Sequence, residues 1–304
     1  MMHRIRTALG FLWKTIDRFF GDGCPTMAAS LSFYTFFSLP ALLSLLLLLV
    51  GTIADPLEVQ RSITDQVGGL IGRAGAEQIR VILEHAQRSY VDRSAAAVVS
   101  GVLVIFGATT AFAQLQDALN RVWSVKPDPT RNQIRNFLAK RVFSFGVVMG
   151  VAFLLLVSLA LTTAVAAFGS LATARLGVPE SFLEAVNWAI SFVVITGLFA
   201  VMFKLLPDAK IAWADVWAGA GATALLFVLG KTVIGFYLGR SDPGNAYGAA
   251  GSLAVVLIWV YYSSMILLFG AELTRGWAER YGTGVTPEPG AMEVVEEEVP
   301  VQRG

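Results

Sequence analysis

Charged residues fall in clusters along this chain, separated by long stretches that have none. No Asp, Glu, Lys or Arg occurs from Gly23 to Ala54, Ser94 to Gln116, Val142 to Ala174, Ala185 to Phe203, Val216 to Gly230 or Pro243 to Ala271. A helix crossing the roughly 30 Å hydrocarbon core of a bilayer needs about 20 apolar residues. Five of the six runs reach or nearly reach that length, and the run from Val216 regains it when read through Lys231 to Leu238. The pattern predicts an all-α polytopic membrane protein of six transmembrane helices, at about 28–53, 95–116, 142–168, 184–203, 213–238 and 249–273. Within lipid the backbone must satisfy its own hydrogen bonds, which leaves helices or a closed barrel. Barrel strands alternate over about 10 residues, and blocks such as LPALLSLLLLLVG do not alternate.

The connecting segments carry weaker patterns. In the N-terminal segment 1–27, Ile5, Leu9, Leu12, Ile16 and Phe19 recur at helical spacing, with Arg4, Lys14 and Arg18 among the polar positions. That predicts an amphipathic helix in the headgroup plane. Between spans 1 and 2, Ile63, Val67 and Leu70, then Ile79, Ile82, Ala86 and Tyr90, repeat every three or four residues around Gly68, Gly69 and Gly72. One or two amphipathic surface helices are expected there. KPDPT ends the helix of span 2, and Thr130 with Gln133 matches a capping box that would start the next. Pro40, near the middle of span 1, withholds an amide from the Phe36 carbonyl and predicts a kink. Residues 274–304 form a tail, expected to be disordered from about 282 because the acidic sequence there has no apolar period.

Composition narrows the class. Charged residues make up 15% of the chain and mean hydropathy is +0.64, whereas soluble domains carry about 25% charge. A net charge of +1 gives no bulk attraction for nucleic acid. Cys24 is the single cysteine, so no intramolecular disulfide forms. No cleavable signal is evident at the N-terminus. Alternate segments hold 15 and 7 of the Lys and Arg residues, which predicts both termini on the cytoplasmic side.

Four stretches carry a resemblance: MAASLSFYTFFSLPALL at 27–43, LNRVWSVKP at 119–127, KLLPDAKIAWADVWAGA at 204–220, and residues 231–273 from KTVIGFYLGRSDPGNAYG to LLFGAEL. Together they resemble the YihY/virulence factor BrkB family of bacterial inner-membrane proteins, from about residue 10 to 280. The resemblance implies six spans in the bacterial plasma membrane. That family once carried a ribonuclease BN label, regarded as a misassignment, and no catalytic residue is carried over from it.

The residues themselves argue against a nuclease. Metal-dependent hydrolysis needs convergent ligands, and the two histidines, His3 and His85, fall on opposite sides of the predicted membrane. No basic, aromatic-rich soluble domain offers an RNA surface, and no Gly-x-x-x-x-Gly-Lys loop is present. No enzyme activity, cofactor or metal is expected.

Two polar groupings remain. Lys231 lies inside span 5, where an ionisable group costs roughly 2.5–3.5 kcal/mol at the helix centre. Its distance from the outer end, about 10 Å, is within near reach of a snorkelling lysine. Candidate partners at that level are Glu184 and Asn187 on span 4, and Asp242, Asn245 and Tyr247 in the next loop. Glu272 sits at the opposite end of span 6, so a Lys231–Glu272 pair is excluded. Glu272, Asp117, Arg121 and Arg141 instead predict a salt-bridged layer closing the cytoplasmic end, with Asn120, Lys140 and Lys210 nearby. Pro40 is a further pathway candidate, since broken helices line many transport sites. Gly146-xxx-Gly150 and AGAGATA at 218–224 predict close helix packing.

The leading functional reading is transport or export of a small amphiphile, lipid or solute. The alternative is a non-transporting scaffold whose partners dock on residues 57–93. An intramembrane enzyme would need a convergent site, and the polar residues are split between two faces. The lipid bilayer is the expected partner, nucleic acid is not, and homo-oligomerisation is left open.

Overall fold

The computed structural model of the chain describes residues 2–50, 57–58, 60–61, 63–65, 76–84, 95–128, 146, 179–241 and 251–295. Helices α1 (Met2–Gly21), α2 (Cys24–Val50) and α3 (Ala95–Val122) come first, followed by strand β1 (Val125–Pro127). Helix α4 (Glu180–Leu205), strand β2 (Ala209–Lys210), and helices α5 (Trp213–Ser241) and α6 (Gly251–Tyr281) follow. Two short strands, β3 (Thr286–Pro287) and β4 (Ala291–Glu293), end the described chain.

Four stretches among the described residues are long and apolar enough to cross a bilayer: Cys24–Ser44, Ser181–Leu205, Trp213–Lys231 and Leu253–Tyr281. Large apolar side chains face outward along them, including Phe33, Phe37, Phe182, Val193, Leu225 and Leu229. Such a surface would be an aggregation liability in water, and in lipid it matches its surroundings. The second predicted span falls on α3. The third, at 142–168, lies outside the described residues except for Gly146.

Helix α6 is the hub, packing against α1, α2, α3 and α5, while α2 packs on α3 and α4 on α5. The α5–α6 contact leaves no room for a methyl group. A Cβ on Gly219 would sit 1.7 Å from Thr274 Oγ1, one on Gly270 2.0 Å from Thr223 Oγ1, and one on Gly230 1.5 Å from the Tyr262 hydroxyl. Rising numbers on α5 meet falling numbers on α6, so the pair is antiparallel. Each threonine settles its own hydroxyl first. Thr223 donates to the Gly219 carbonyl and Thr274 to the Gly270 carbonyl, both at 2.7 Å. What crosses the interface is van der Waals contact, the principal attraction between helices in lipid.

Helix α1 has two apolar faces. Phe19 packs edge-on against Phe269 at 5.6 Å, and Phe11 lies against Gly276 of α6. Leu9, Leu12, Trp13, Ile16 and Phe20 form an exposed stripe. Phe19, expected on the outer stripe, therefore belongs to the core, and Trp13 and Phe20 carry the outward face with the predicted leucines and Ile16. Residues 76–84 are helical, with Ile79 and Leu83 buried against Leu39 and Leu43 of α2. Arg80 turns outward to Glu77 and Glu84, and its hydrogen bond holds the Glu77 carboxyl below the usual carboxylate range.

Pro40 does not end α2. The helix runs through it, and the Ser44 hydroxyl donates to the Pro40 carbonyl at 2.6 Å. The tail departs from expectation up to residue 295, where the described residues end. Instead of losing order from residue 282, it forms β3 and β4. β3 pairs with β2 (Ala209↔Pro287) and β4 with β1 (Val125↔Glu293), both antiparallel. The extended loops after α3 and α4 expose amides and carbonyls that need partners, and the tail supplies them as a strap. Composition alone does not reveal a segment ordered by backbone pairing.

Gly219→Ala is expected to destabilise the protein by about 1–3 kcal/mol through overpacking, read as a lower melting temperature in detergent. Adding Thr274→Gly should recover part of the loss. An unchanged melting temperature for the single variant would contradict the close α5–α6 contact.

Candidate functional site

A polar pocket of about 440 Å³ opens where α1, α3, β1 and α6 meet. Three chain endings build it. Helix α1 closes on Gly23, whose φ of +70° is the left-handed conformation that glycine adopts without strain. This turn presents Asp22 to the pocket just before α2 begins. Helix α3 closes on Ser124, a non-glycine residue at φ +50°, which turns the chain into β1 and brings Lys126 to the wall. The Val294 amide donates to the Ser124 carbonyl at 2.7 Å, so the strap closes the far side.

The third element is the last part of α6. Arg275 donates to the Val122 carbonyl at 2.6 Å, one of the acceptors left open at the end of α3. Glu279 bridges two guanidinium groups, accepting from Arg275 at 2.9 Å and from Arg18 at 2.7 Å. Arg275 also lies 3.5 Å from Asp22. Behind this wall, Asn120 and Gln116 donate to the Asp208 carboxylate at 2.8 and 3.2 Å, and the Asp208 amide returns a hydrogen bond to Asn120 at 2.7 Å. This exchange pins α3 to the loop after α4.

Glu272, one turn before Arg275, is completely buried (0% exposed). Neither of its carboxyl oxygens has a hydrogen-bond donor among the described residues, and the same holds for Asp22 Oδ2. The two carboxyls face each other. They can bond only through a proton held by one of them.

A second cavity of about 340 Å³ lies deeper in the bundle. Leu31 of α2, Phe112 of α3, Phe199 of α4, Phe227 of α5 and Trp259 of α6 all line it. Its wall also holds Ser263, whose buried hydroxyl has no partner among the described residues. Between their linings along α2 and α6 lie Cys24, Ala28, Leu268, Ala271 and Glu272, all at 0% exposure.

The sequence-predicted residues separate into three groups. Asp117 and Arg121 line the polar pocket, as does Asn120. Glu272 lies behind it and makes no ion pair with Arg121 or Lys210 among the described residues, and Lys140, another of its expected partners, lies outside them. Arg141 lies outside the described residues. Lys231 stands 5.9 Å from the centre of the Trp188 ring on α4, a cation–π distance. Gly230 packs on Tyr262, which puts Lys231 roughly 15 Å along the bundle from Glu272. Glu184 and Asn187 fall on α4, one turn and one residue before Trp188, with side chains outside the description. Asp242, Asn245 and Tyr247 also lie outside it. Pro40 is exposed and does not line the cavity. Sequence reasoning missed Asp22, Arg275, Glu279 and Ser124. A signal existed for two of them, since Arg275 follows Glu272 by three residues and Glu279 by four more along one helix face.

A family model described as Virulence factor BrkB matches residues 15–294, from Thr15 to the valine that closes the pocket. The chain belongs to the virulence factor BrkB family. Among similar proteins, the ribonuclease-like protein YfkH of Bacillus subtilis is 23% identical, over 87% of this chain and 94% of that protein. A UPF0761 membrane protein of Acinetobacter baylyi is 26% identical, over 88% of this chain and 62% of its own length. A UPF0761 membrane protein of Pseudomonas paraeruginosa is 28% identical, over 92% of this chain and 67% of its own length. This BrkB family member thus spans less than two thirds of the Acinetobacter relative. No solved structure matches it. The match covers every residue named in both cavities.

Glu272→Met should raise the melting temperature of the BrkB family member, because an unsatisfied buried polar group costs about 1–3 kcal/mol and methionine fills similar space. A lower melting temperature would show that Glu272 is satisfied in the folded protein.

Proposed function

We propose that this protein is a transporter or exporter of a small amphiphile in the bacterial inner membrane, built on six spans with both termini cytoplasmic. The observation that carries the reading is the apolar cavity lined by five helices. Its size is within the roughly 300–1,000 Å³ of small-molecule sites, and its wall is aromatic and aliphatic with few polar groups. A scaffold has no use for such a space inside its spans.

The layout supports movement rather than storage. Leu267 lines the cavity and Arg275 the polar pocket, eight residues or about 12 Å apart on one helix. The buried layer between them separates an apolar compartment from a charged one. An amphiphile has parts suited to each, and one that parts the layer would set its chains in the cavity and its polar end in the pocket. Glu272 lies in that layer, so opening would give a buried carboxyl access to water.

The cavity can be tested by thiol protection. With Cys24→Ser and Ser263→Cys, alkylation by N-ethylmaleimide in phosphatidylcholine nanodiscs should be slowed at least fivefold by dioctanoylglycerol. Ala111→Phe, which projects into the same space, should abolish the protection. Alkylation indifferent to the amphiphile would identify a packing void and move the scaffold reading ahead.

A further inference from the structure

We propose that the polar pocket at the ends of α1, α3 and α6 binds a phosphate group, the headgroup of the amphiphile that the apolar cavity accepts. This deepens the transport reading and rests on it for the apolar half of the ligand.

The chemistry of the wall points to an anion. Arg18, Arg121, Lys126 and Arg275 face Asp22 and Asp117 across the pocket, four cations against two carboxylates. These cations have different occupations. Arg18 and Arg275 are held by Glu279, and Arg275 also serves the Val122 carbonyl. The Arg121 guanidinium and Lys126 ammonium are exposed, and neither has an ion-pair partner among the described residues. They come from different elements, five residues apart across the Ser124 turn, and reach the same pocket. Ser124 adds a hydroxyl that can donate a hydrogen bond. An arginine fork, a lysine point charge and a neutral donor together suit a tetrahedral oxyanion with several acceptors better than a single carboxylate.

The position of the pocket favours a lipid headgroup over a free ion. Trp277 and Tyr281, their rings 4.8 Å apart, are exposed on the same final turns of α6 as Arg275. Trp13 and Phe20 are exposed on α1, on either side of Arg18. Exposed aromatic rings at helix ends mark the headgroup level, and basic pockets between membrane helices receive anionic headgroups there.

The test uses full-length protein carrying Cys24→Ser and Ser263→Cys, with or without Arg121→Ala/Lys126→Ala. Both replaced side chains are exposed, and the melting temperature without ligand checks the fold. Half-protection of Ser263→Cys is measured with dioctanoyl phosphatidic acid and with dioctanoylglycerol, which has the same chains without phosphate. Melting temperature is measured with inorganic phosphate alone. The proposal expects phosphatidic acid to protect at a concentration at least tenfold lower than dioctanoylglycerol. The double substitution should erase that advantage and leave dioctanoylglycerol unchanged. A stabilisation by inorganic phosphate alone, lost in the double variant, would keep the phosphate site and assign it to a soluble anion. Equal protection by the two lipids, or a preference that survives the double substitution, overturns the phosphate site and leaves the cavity reading standing. If neither lipid protects, the cavity reading fails, and the phosphate-induced shift then decides the pocket by itself.

Discussion

The absence of a side chain at Gly219, Gly230 and Gly270 is the constraint on which the rest of the bundle hangs. It lets α5 and α6 approach until the side chains of Thr274, Tyr262 and Thr223 fill the missing Cβ positions. Lipid provides no hydrophobic drive for helices to associate, so this close contact supplies attraction that a larger residue would forfeit. Once α6 is fixed, it organises its neighbours. Its Leu257 carbonyl takes a hydrogen bond from Ser32 of α2 at 2.8 Å, its Phe269 receives Phe19 of α1, and its Arg275 terminates α3. One helix pair without room for a methyl group thus sets the geometry of the polar pocket at its end.

The unsatisfied groups are not scattered. The buried polar atoms without a hydrogen bond among the described residues are Trp123 Nε1, Ser263 Oγ, both oxygens of Glu272, and Asp22 Oδ2, which keeps its 3.5 Å ion pair with Arg275. Asp22 lines the polar pocket, Ser263 lines the apolar cavity, Glu272 sits in the layer between, and Trp123 adjoins Ser124 at the pocket wall. Buried polar groups are nearly always hydrogen-bonded, so each exception asks for an explanation. These exceptions lie at the polar pocket, in the apolar cavity and in the buried layer between the two linings.

Much of this was legible before any coordinates. Uncharged runs predict helices because a bilayer excludes charge, and α2, α3, α4, α5 and α6 follow them. The AGAGATA run predicts a close helix contact, although its partner positions Gly270 and Thr274 become visible only in the pairing. Asp117 and Arg121 read from sequence as part of an ion-pair layer at the end of a span, and both line the polar pocket. Glu272 reads as part of the same layer, with Arg121, Lys140, Arg141 or Lys210 as partners, and sequence does not say that Asp22 faces it. Asp22 itself lies beside a glycine in a tight turn and carries no periodic signal. The strap is illegible for a different reason. Strands of two or three residues have no alternation to read, and their order comes from partners some 80 and 170 residues earlier.

The packing also says where this bundle would yield. A Cβ on Gly107 of α3 would approach the Ala41 methyl of α2 to 3.0 Å, so α2 and α3 form a second close pair beside α5 and α6. Tightly interlocked pairs move as units, since parting them forfeits many dispersion contacts at once. Between the pairs, Ser32 of α2 donates to the Leu257 carbonyl of α6 and Arg275 of α6 donates to the Val122 carbonyl of α3, and the facing carboxyls of Asp22 and Glu272 add no bond unless a proton is present. The apolar cavity, the buried layer and the polar pocket all have walls on both pairs. The strap limits movement of one pair against the other, because β4 holds the end of α3 and β3 holds the loop before α5. Any opening along the line through Glu272 has to part α2 from α6, a seam packed as extensively as that of α5 with α6.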